Sequence, residues 1–473
     1  MDLDCILGKV AGEDHLEKEQ GNKKLTLFAL TWPIFVEMLL GMLMGNIDTL
    51  MLSRFSEEAM AAVGVANQIL FFVNLMFNVV SAGTSVLISQ NLGAGRNRSA
   101  LEVASVAIVL NLLFGLLTSL LLLGAGRTVF GWMNLPQELA PSAWTYLMIT
   151  GGFVFAEAVR LTLATIMRSY GFTRVTMYVA FGINALHLFG NYIALYGSLG
   201  APFSGVSGVA ISTVLSRLVG LAFLFVLIKL KTDFRFRMRG IHAKDLREHA
   251  RGLFQIGIPT AGESFFSTMA QICITSFIAL LGTQALSAKI YAQNLGMFNN
   301  LFTLSLALAT EIMIGRYIGA KLFDETYKRG KNYAWFASLI SAGSALLIAS
   351  CSGFLVGLFT NDPDTIRQTV HLLWLAVLLE AGRAGNLILI NALRAAGDVK
   401  VPVYISVSSV WIISVSLSYV LGVYLGWGMI GVYIAFIADE WVKTCLFRLR
   451  WKSRRWETMS LIEREKTAGY LPF

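Results

Sequence analysis

Apolar residues run along this chain in stretches of about 20 or more, the length a helix needs to cross roughly 30 Å of hydrocarbon. Twelve such runs can be marked, near residues 27–52, 60–92, 101–124, 142–167, 175–197, 205–228, 253–281, 285–315, 333–358, 366–393, 401–423 and 428–447. Several exceed the minimum, which predicts tilted helices or helices that project beyond the bilayer. Residues 1–24 are polar and mixed in charge, unlike the short n-region of a cleaved signal peptide, so the first run is expected to remain as an anchor.

Composition sharpens this pattern. The 473 residues are 56% hydrophobic and 14% charged, where soluble domains carry about 25% charged residues. That balance excludes a disordered chain and a secreted disulfide scaffold, and it argues against a water-soluble enzyme. Cys5, Cys273, Cys351 and Cys445 are far apart and form no zinc or redox motif. There is no phosphate loop, no H-E-x-x-H and no nucleophile elbow, so neither catalytic residues nor a bound metal is expected.

The net charge of +9 is an orientation signal. With the N-terminus on side one, that side holds 31 of the 38 Lys and Arg residues, the opposite side only Arg54, Arg127 and Arg367, and four lie inside runs. Cytoplasmic loops collect basic residues, which predicts a multi-pass protein of the cell membrane with both termini and the 229–251 loop cytoplasmic. No nucleic-acid partner is expected.

The second half repeats the first at an offset of 226 residues. Leu27–Gly95 laid on Leu253–Lys321 gives 15 identities in 69 positions, among them Pro33/Pro259, Glu37/Glu263, Asn74/Asn300 and Thr84/Thr310. Later matches include Glu157-x-x-Arg160 with Glu380-x-x-Arg383, and Arg168 with Arg394. Six spans per copy return the chain to its starting side, so the copies share one orientation, the parallel-repeat arrangement of transporters. The expected fold is an all-α integral membrane protein. Its twelve transmembrane helices form two six-helix lobes related by a pseudo-two-fold along the membrane normal. The segments are a cytoplasmic N-terminal segment 1–24, an N-lobe 25–228, a linker 229–251, a C-lobe 252–447 and a cytoplasmic tail 448–473.

A charge at the bilayer centre is costly and usually faces a cavity or a partner. Asp48 lies deep in the first span with no opposite charge within a helical turn. It can exchange a proton, hold a cation with amide oxygens, which suit hard ions, or simply accept a hydrogen bond from a neighbouring helix. Asn184, His187 and Asn191 share a face of the fifth span, where His187 is either a hydrogen-bonded structural residue or, with its amide neighbours, a candidate ligand. Glu37 lies 11 residues before Asp48, about three turns along nearly the same face. Glu263 repeats Glu37, and both are candidates for substrate binding or coupling. Glu157/Arg160 and Glu380/Arg383 have the spacing of same-helix ion pairs, either structural bridges or switchable ones. Arg217 with Asp439 or Glu440 is a further candidate pair, while Lys289 and Glu311, near the ends of the eighth span, are expected to snorkel.

The stretches Asn46-Ile47-Asp48-Thr49, Gln90-Asn91-Leu92-Gly93-Ala94-Gly95, Met167-Arg168-Ser169-Tyr170-Gly171 and Leu393-Arg394-Ala395-Ala396-Gly397-Asp398 resemble the multidrug and toxic compound extrusion (MATE) family of bacterial transporters. The resemblance runs from about residue 25 to 450 and implies two six-helix lobes in a V. It also implies efflux of drug-like, often cationic compounds by H⁺ or Na⁺ antiport. Asp48 matches the family's span-one cation-site aspartate, and Asn191 falls where the family has Asp or Asn. His187 stands where a coordinating Asn is common, a departure that favours protons. Ser267 and Arg383 replace the acids of a second-lobe cation site found in some members.

The expected function is therefore multidrug efflux by alternating access, with Asp48, Asn184, His187 and Asn191 as the cation site. Glu37, Glu157, Arg160, Glu263, Glu380 and Arg383 are the candidates for substrate binding or coupling. The expected partners are cationic small molecules and membrane lipid; the chain would act as a monomer with no cofactor besides the coupling ion, H⁺ or Na⁺. The rivals are a lipid-linked oligosaccharide flippase of the same superfamily, a channel and a membrane enzyme.

Overall fold

Every regular element among the described residues of the computed structural model (25–197, 204–232 and 243–461) is helical. The segment 1–24, the middle of the 229–251 linker and the end of the tail lie outside those residues. The first half contains α1 (Leu27–Phe55), α2 (Glu57–Gly93), α3 (Asn97–Trp132), α4 (Ala140–Gly152), α5 (Val154–Ser169), α6 (Thr173–Tyr196) and α7 (Gly205–Lys231). The second contains α8 (Ala243–Leu280), α9 (Thr283–Gly319), α10 (Phe323–Ser350), α11 (Ser352–Gly357), α12 (Pro363–Ala395), α13 (Lys400–Ser409) and α14 (Gly428–Lys452).

Ten helical stretches are long and apolar enough to span a membrane, and α4 with α5, bent by 48° at Phe153, makes an eleventh. The twelfth, α14, is 25 residues long but carries Asp439, Glu440 and Lys443 in its middle. The run at 142–167 is thus one span broken by a bend, and that at 333–358 is interrupted at Cys351. After α13 the chain continues as two π-helical segments, Val410–Val415 and Ser418–Tyr424, which complete the eleventh span. Leu120, Leu121, Leu347 and Phe354 are each more than half exposed. Water would penalise that surface and lipid does not.

The helices pack as two units. One comprises Val36–Ile88 and Arg96–Gly257, and the other the residues up to Phe35, Ser89–Gly95 and everything from Ile258. The interior of each is rich in small residues, as lipid-embedded helices require for close approach. Ala62, Ala66, Phe77, Leu147 and Ala210 are buried in the first, and Ala270, Ile274, Ala288, Leu372 and Val432 in the second. In the second unit the end of α2 meets the end of α9 backbone to backbone. A Cβ on Gly93 would lie 2.0 Å from the Arg316 carbonyl oxygen, and one on Gly319 would lie 1.9 Å from that of Gln90.

Polar side chains join helices where the apolar drive is weak. Asn111 donates to the Thr162 hydroxyl (2.6 Å) and Asn299 to that of Ser341 (2.9 Å). Beyond α14 the chain folds back onto the second unit. Trp451 and Trp456 stack with centroids 4.4 Å apart, and the Leu461 N–H donates to the Oε1 of buried Gln90 (3.3 Å). The amide of Gln90 in turn donates to the Ala395 carbonyl (2.7 Å).

Candidate functional site

In the unit Val36–Ile88 with Arg96–Gly257, α1 and α6 meet at two polar rungs. The Glu37 carboxylate accepts from the Arg168 guanidinium (3.1 Å) and from the Thr176 hydroxyl (2.8 Å). Eleven residues further along α1, Asp48 accepts from the Asn191 amide at 2.7 Å. The Nε2 of His187 lies 3.9 Å from the other Asp48 oxygen, just beyond a direct hydrogen bond. Asp48 keeps about a quarter of its side chain accessible, while His187 and Asn191 are buried.

The histidine is held from α7. Thr213 Oγ1 and His187 Nε2 share a hydrogen bond of 3.0 Å, and Ser212 donates to the His187 carbonyl. Gly190 makes this approach possible, since a Cβ there would lie 2.3 Å from Ser212 Oγ. Asn191 Oδ1 is buried without a hydrogen-bond partner among the described residues. The cluster therefore offers a carboxylate, a free amide oxygen and an imidazole at one place. Asn184, a turn before His187, is half-buried and hydrogen-bonded to neither. Among the described residues no three His, Cys, Asp or Glu side chains converge to hold a metal ion. A cation at Asp48 would meet one carboxylate and neutral oxygens.

Just beyond the α4–α5 bend, buried Glu157 is gripped by Arg160 (2.6 and 2.8 Å) and faced by Arg217 at 3.7 Å. Arg217 thus turns to Glu157 and not to Asp439 or Glu440. Asp439 is satisfied on its own helix by Lys443, one turn later at 2.7 Å.

The second unit repeats the Glu–Arg contact and alters the rest. Glu263 pairs with Arg394 at the same separation of 131 residues as Glu37 and Arg168. Arg383 binds Glu380 and also faces Glu440 at 3.7 Å. Asn299 donates to Glu380 (3.1 Å) and Asn386 to Glu440 (2.7 Å). One unit therefore holds a carboxylate between two guanidiniums, the other a guanidinium between two carboxylates. Arg383, Glu380, Glu440 and Lys289 border a cavity of about 460 Å³ that also takes in Asn300 and Ser414. Lys289 does not snorkel: it is 5% exposed.

Several of these partners escape a reading of the chain alone. Thr176, Ser212 and Thr213 carry no charge, and only the packing of α6 and α7 assigns them work. The Arg168–Glu37 contact did leave a signal. Each repeat retains one acid and one base at matching places, the minimum needed for a bridge in each copy.

Comparison with known proteins agrees with the repeat. The MatE family model matches residues 33–193 and again 259–420, so the two matches start at the 226-residue offset read from the chain. An uncharacterized transporter of Bacillus subtilis, YisQ, is 43% identical over 439 residues, covering 93% of this chain and 96% of its own. The probable multidrug resistance protein NorM of Thermotoga maritima is 26% identical over 457 residues, covering 96% and 98%. The crystal structure of the Vibrio cholerae MATE transporter VcmN superposes with a TM-score of 0.81 at 18% identity, over 94% of this chain and 97% of that one. The matched repeat, the helical spans and this near-full-length similarity establish that the chain belongs to the MatE family of membrane transporters, none of which is an enzyme.

Proposed function

We propose that the chain is a multidrug efflux antiporter of the cell membrane, with both termini in the cytoplasm. It exchanges H⁺, or Na⁺, for drug-like cationic compounds by alternating access. The observation that carries the reading is the Asp48 cluster: a partly accessible carboxylate in a span, tied to Asn191 and within 3.9 Å of His187. Family membership and the naming of relatives such as NorM as multidrug resistance proteins support the substrate class.

Coupling follows from differential affinity. A cation or proton on Asp48 removes its negative charge and alters the link between α1 and α6, so it stabilises one state, while substrate stabilises the other. The Glu37–Arg168 and Glu263–Arg394 bridges hold the first helix of each repeat, and Glu157/Arg160 and Glu380/Arg383 are the charge clusters that respond. The transporter works as a monomer in lipid without a cofactor.

Purified protein in proteoliposomes, with an imposed pH or Na⁺ gradient, tests this through uptake of cationic dyes. Wild type should accumulate dye only with a gradient, and Asp48→Asn should lose that dependence. Full gradient-driven uptake by Asp48→Asn would overturn the coupling role. Movement of a lipid-linked sugar with no dye uptake would overturn the substrate class.

A further inference from the structure

The two halves carry opposite lone charges at neighbouring places in the repeat. Asp48 has Ile274 as its counterpart at the 226-residue offset, and the adjacent Thr49 has Thr275. Lys289, whose counterpart is Val63, donates to that Thr275 hydroxyl at 2.5 Å. No carboxylate among the described residues pairs with it, since Glu380 and Glu440 are engaged by Arg383, and Asp439 by Lys443.

A buried ammonium compensated by one hydroxyl is costly, because a charge leaves water without a partner. It has two further N–H donors. Lys289 lines the 460 Å³ cavity, and so do Gln271, Gln293 and Asn294, whose amides can donate as well. Lys289 also borders a second, more open hollow lined by Thr268, Gln271, Thr275, Ser276 and Gln293, which provides a way in. The eleventh span is π-helical where Ser414 reaches the cavity, and such departures from α-helix cluster at functional sites.

We infer that this cavity binds a small organic or inorganic oxyanion, a carboxylate or a phosphate, through the Lys289 ammonium and the amides of Gln271, Gln293 and Asn294. An oxyanion supplies the missing countercharge and several acceptor lone pairs, where the cavity offers clustered donors. The Arg383–Glu380–Glu440 cluster on the same cavity carries an excess negative charge, so a ligand with a polar or positive far end is accommodated. This goes beyond the Asp48 reading and does not depend on it.

The test uses purified full-length protein in detergent without any gradient, so its failure is distinct from a failure of antiport. Melting is followed with sodium benzoate or inorganic phosphate against sodium chloride at equal ionic strength. One of the two oxyanions should raise the melting midpoint of wild type, and which one does so names the class. In Lys289→Gln the concentration giving half the shift should rise about tenfold or more, while Lys289→Arg should keep the response. Acetylation of Lys289 in wild type by acetic anhydride, read by peptide mass spectrometry, should be slowed by the same anion, a readout that needs no variant. Equal shifts in wild type and Lys289→Gln, no shift beyond chloride with either oxyanion, or no protection of Lys289 would overturn the site.

Discussion

Replacing Arg383 with Met would strand two acids of the second unit at once. The guanidinium serves two carboxylates at once, Glu380 in direct contact and Glu440 at 3.7 Å. At that distance one opposite charge is worth about 4–5 kcal/mol at an effective dielectric of about 20. Losing one partner of a buried ion pair costs about 3–5 kcal/mol. The amides of Asn299 and Asn386 remain on the two acids, so the lower bound, about 3 kcal/mol, is the better figure. For a unit of roughly 200 residues, at about 2–4 °C per kcal/mol, that is a fall in melting midpoint of about 6–12 °C. Thermal melts of the purified variants in one detergent would measure it. Adding Glu380→Gln to Arg383→Met removes one stranded charge and should recover half the loss or more. If Arg383→Met melts within about 2 °C of wild type, or the second substitution recovers nothing, then Arg383 does not neutralise these acids.

Gly319→Ala should cost about 1–3 kcal/mol or more, because the new methyl would lie 1.9 Å from a backbone oxygen that cannot rotate away. Gly343→Ala, into open space on a helix, should be neutral or stabilising by up to about 1 kcal/mol, and the two melts are compared directly. Asp362 caps α12 by accepting from the Thr365 hydroxyl and, at 3.1 Å, from its backbone N–H, and these bonds hold the carboxyl below its usual value of 3.8. The cap's stabilisation is therefore present above that value and lost as pH falls through the lower folded-state value. Asp362→Ala should destabilise at neutral pH, and the difference from wild type should shrink as melts are repeated in increasingly acidic buffer.

Spans and repeat were legible because each rests on a one-dimensional signal: apolar run length, the side on which basic residues fall, and a fixed offset. The broken spans were not, since neither the bend at Phe153 nor the stop at Cys351 coincides with proline. Partner choice was the harder problem. Asp48 and Asn191 lie 143 residues apart, and Arg217 could be assigned to Glu157 only once α5 and α7 were packed. Lys289 shows how a position along a helix can be legible and a direction missed. Its position near a helix end suggested snorkelling, yet Ala285 and Ala292, four before and three after it, are both 5% exposed. A lysine on that small-residue face points inward.

The return of Leu461 onto Gln90 also has a consequence for how the protein is made. The first unit ends at Gly257, whereas the second draws on the start of α1 up to Phe35, on Ser89–Gly95 and on the described residues from Ile258. Gln90 meets Leu461 across 371 residues, an interval of about 20–70 seconds at ordinary rates of translation. During that time the end of α2 must be held in the membrane with its buried amide still waiting for Ala395 and Leu461. One half of the transporter can mature while the ribosome is still at work, and the other is closed only once the segment around Leu461 has emerged.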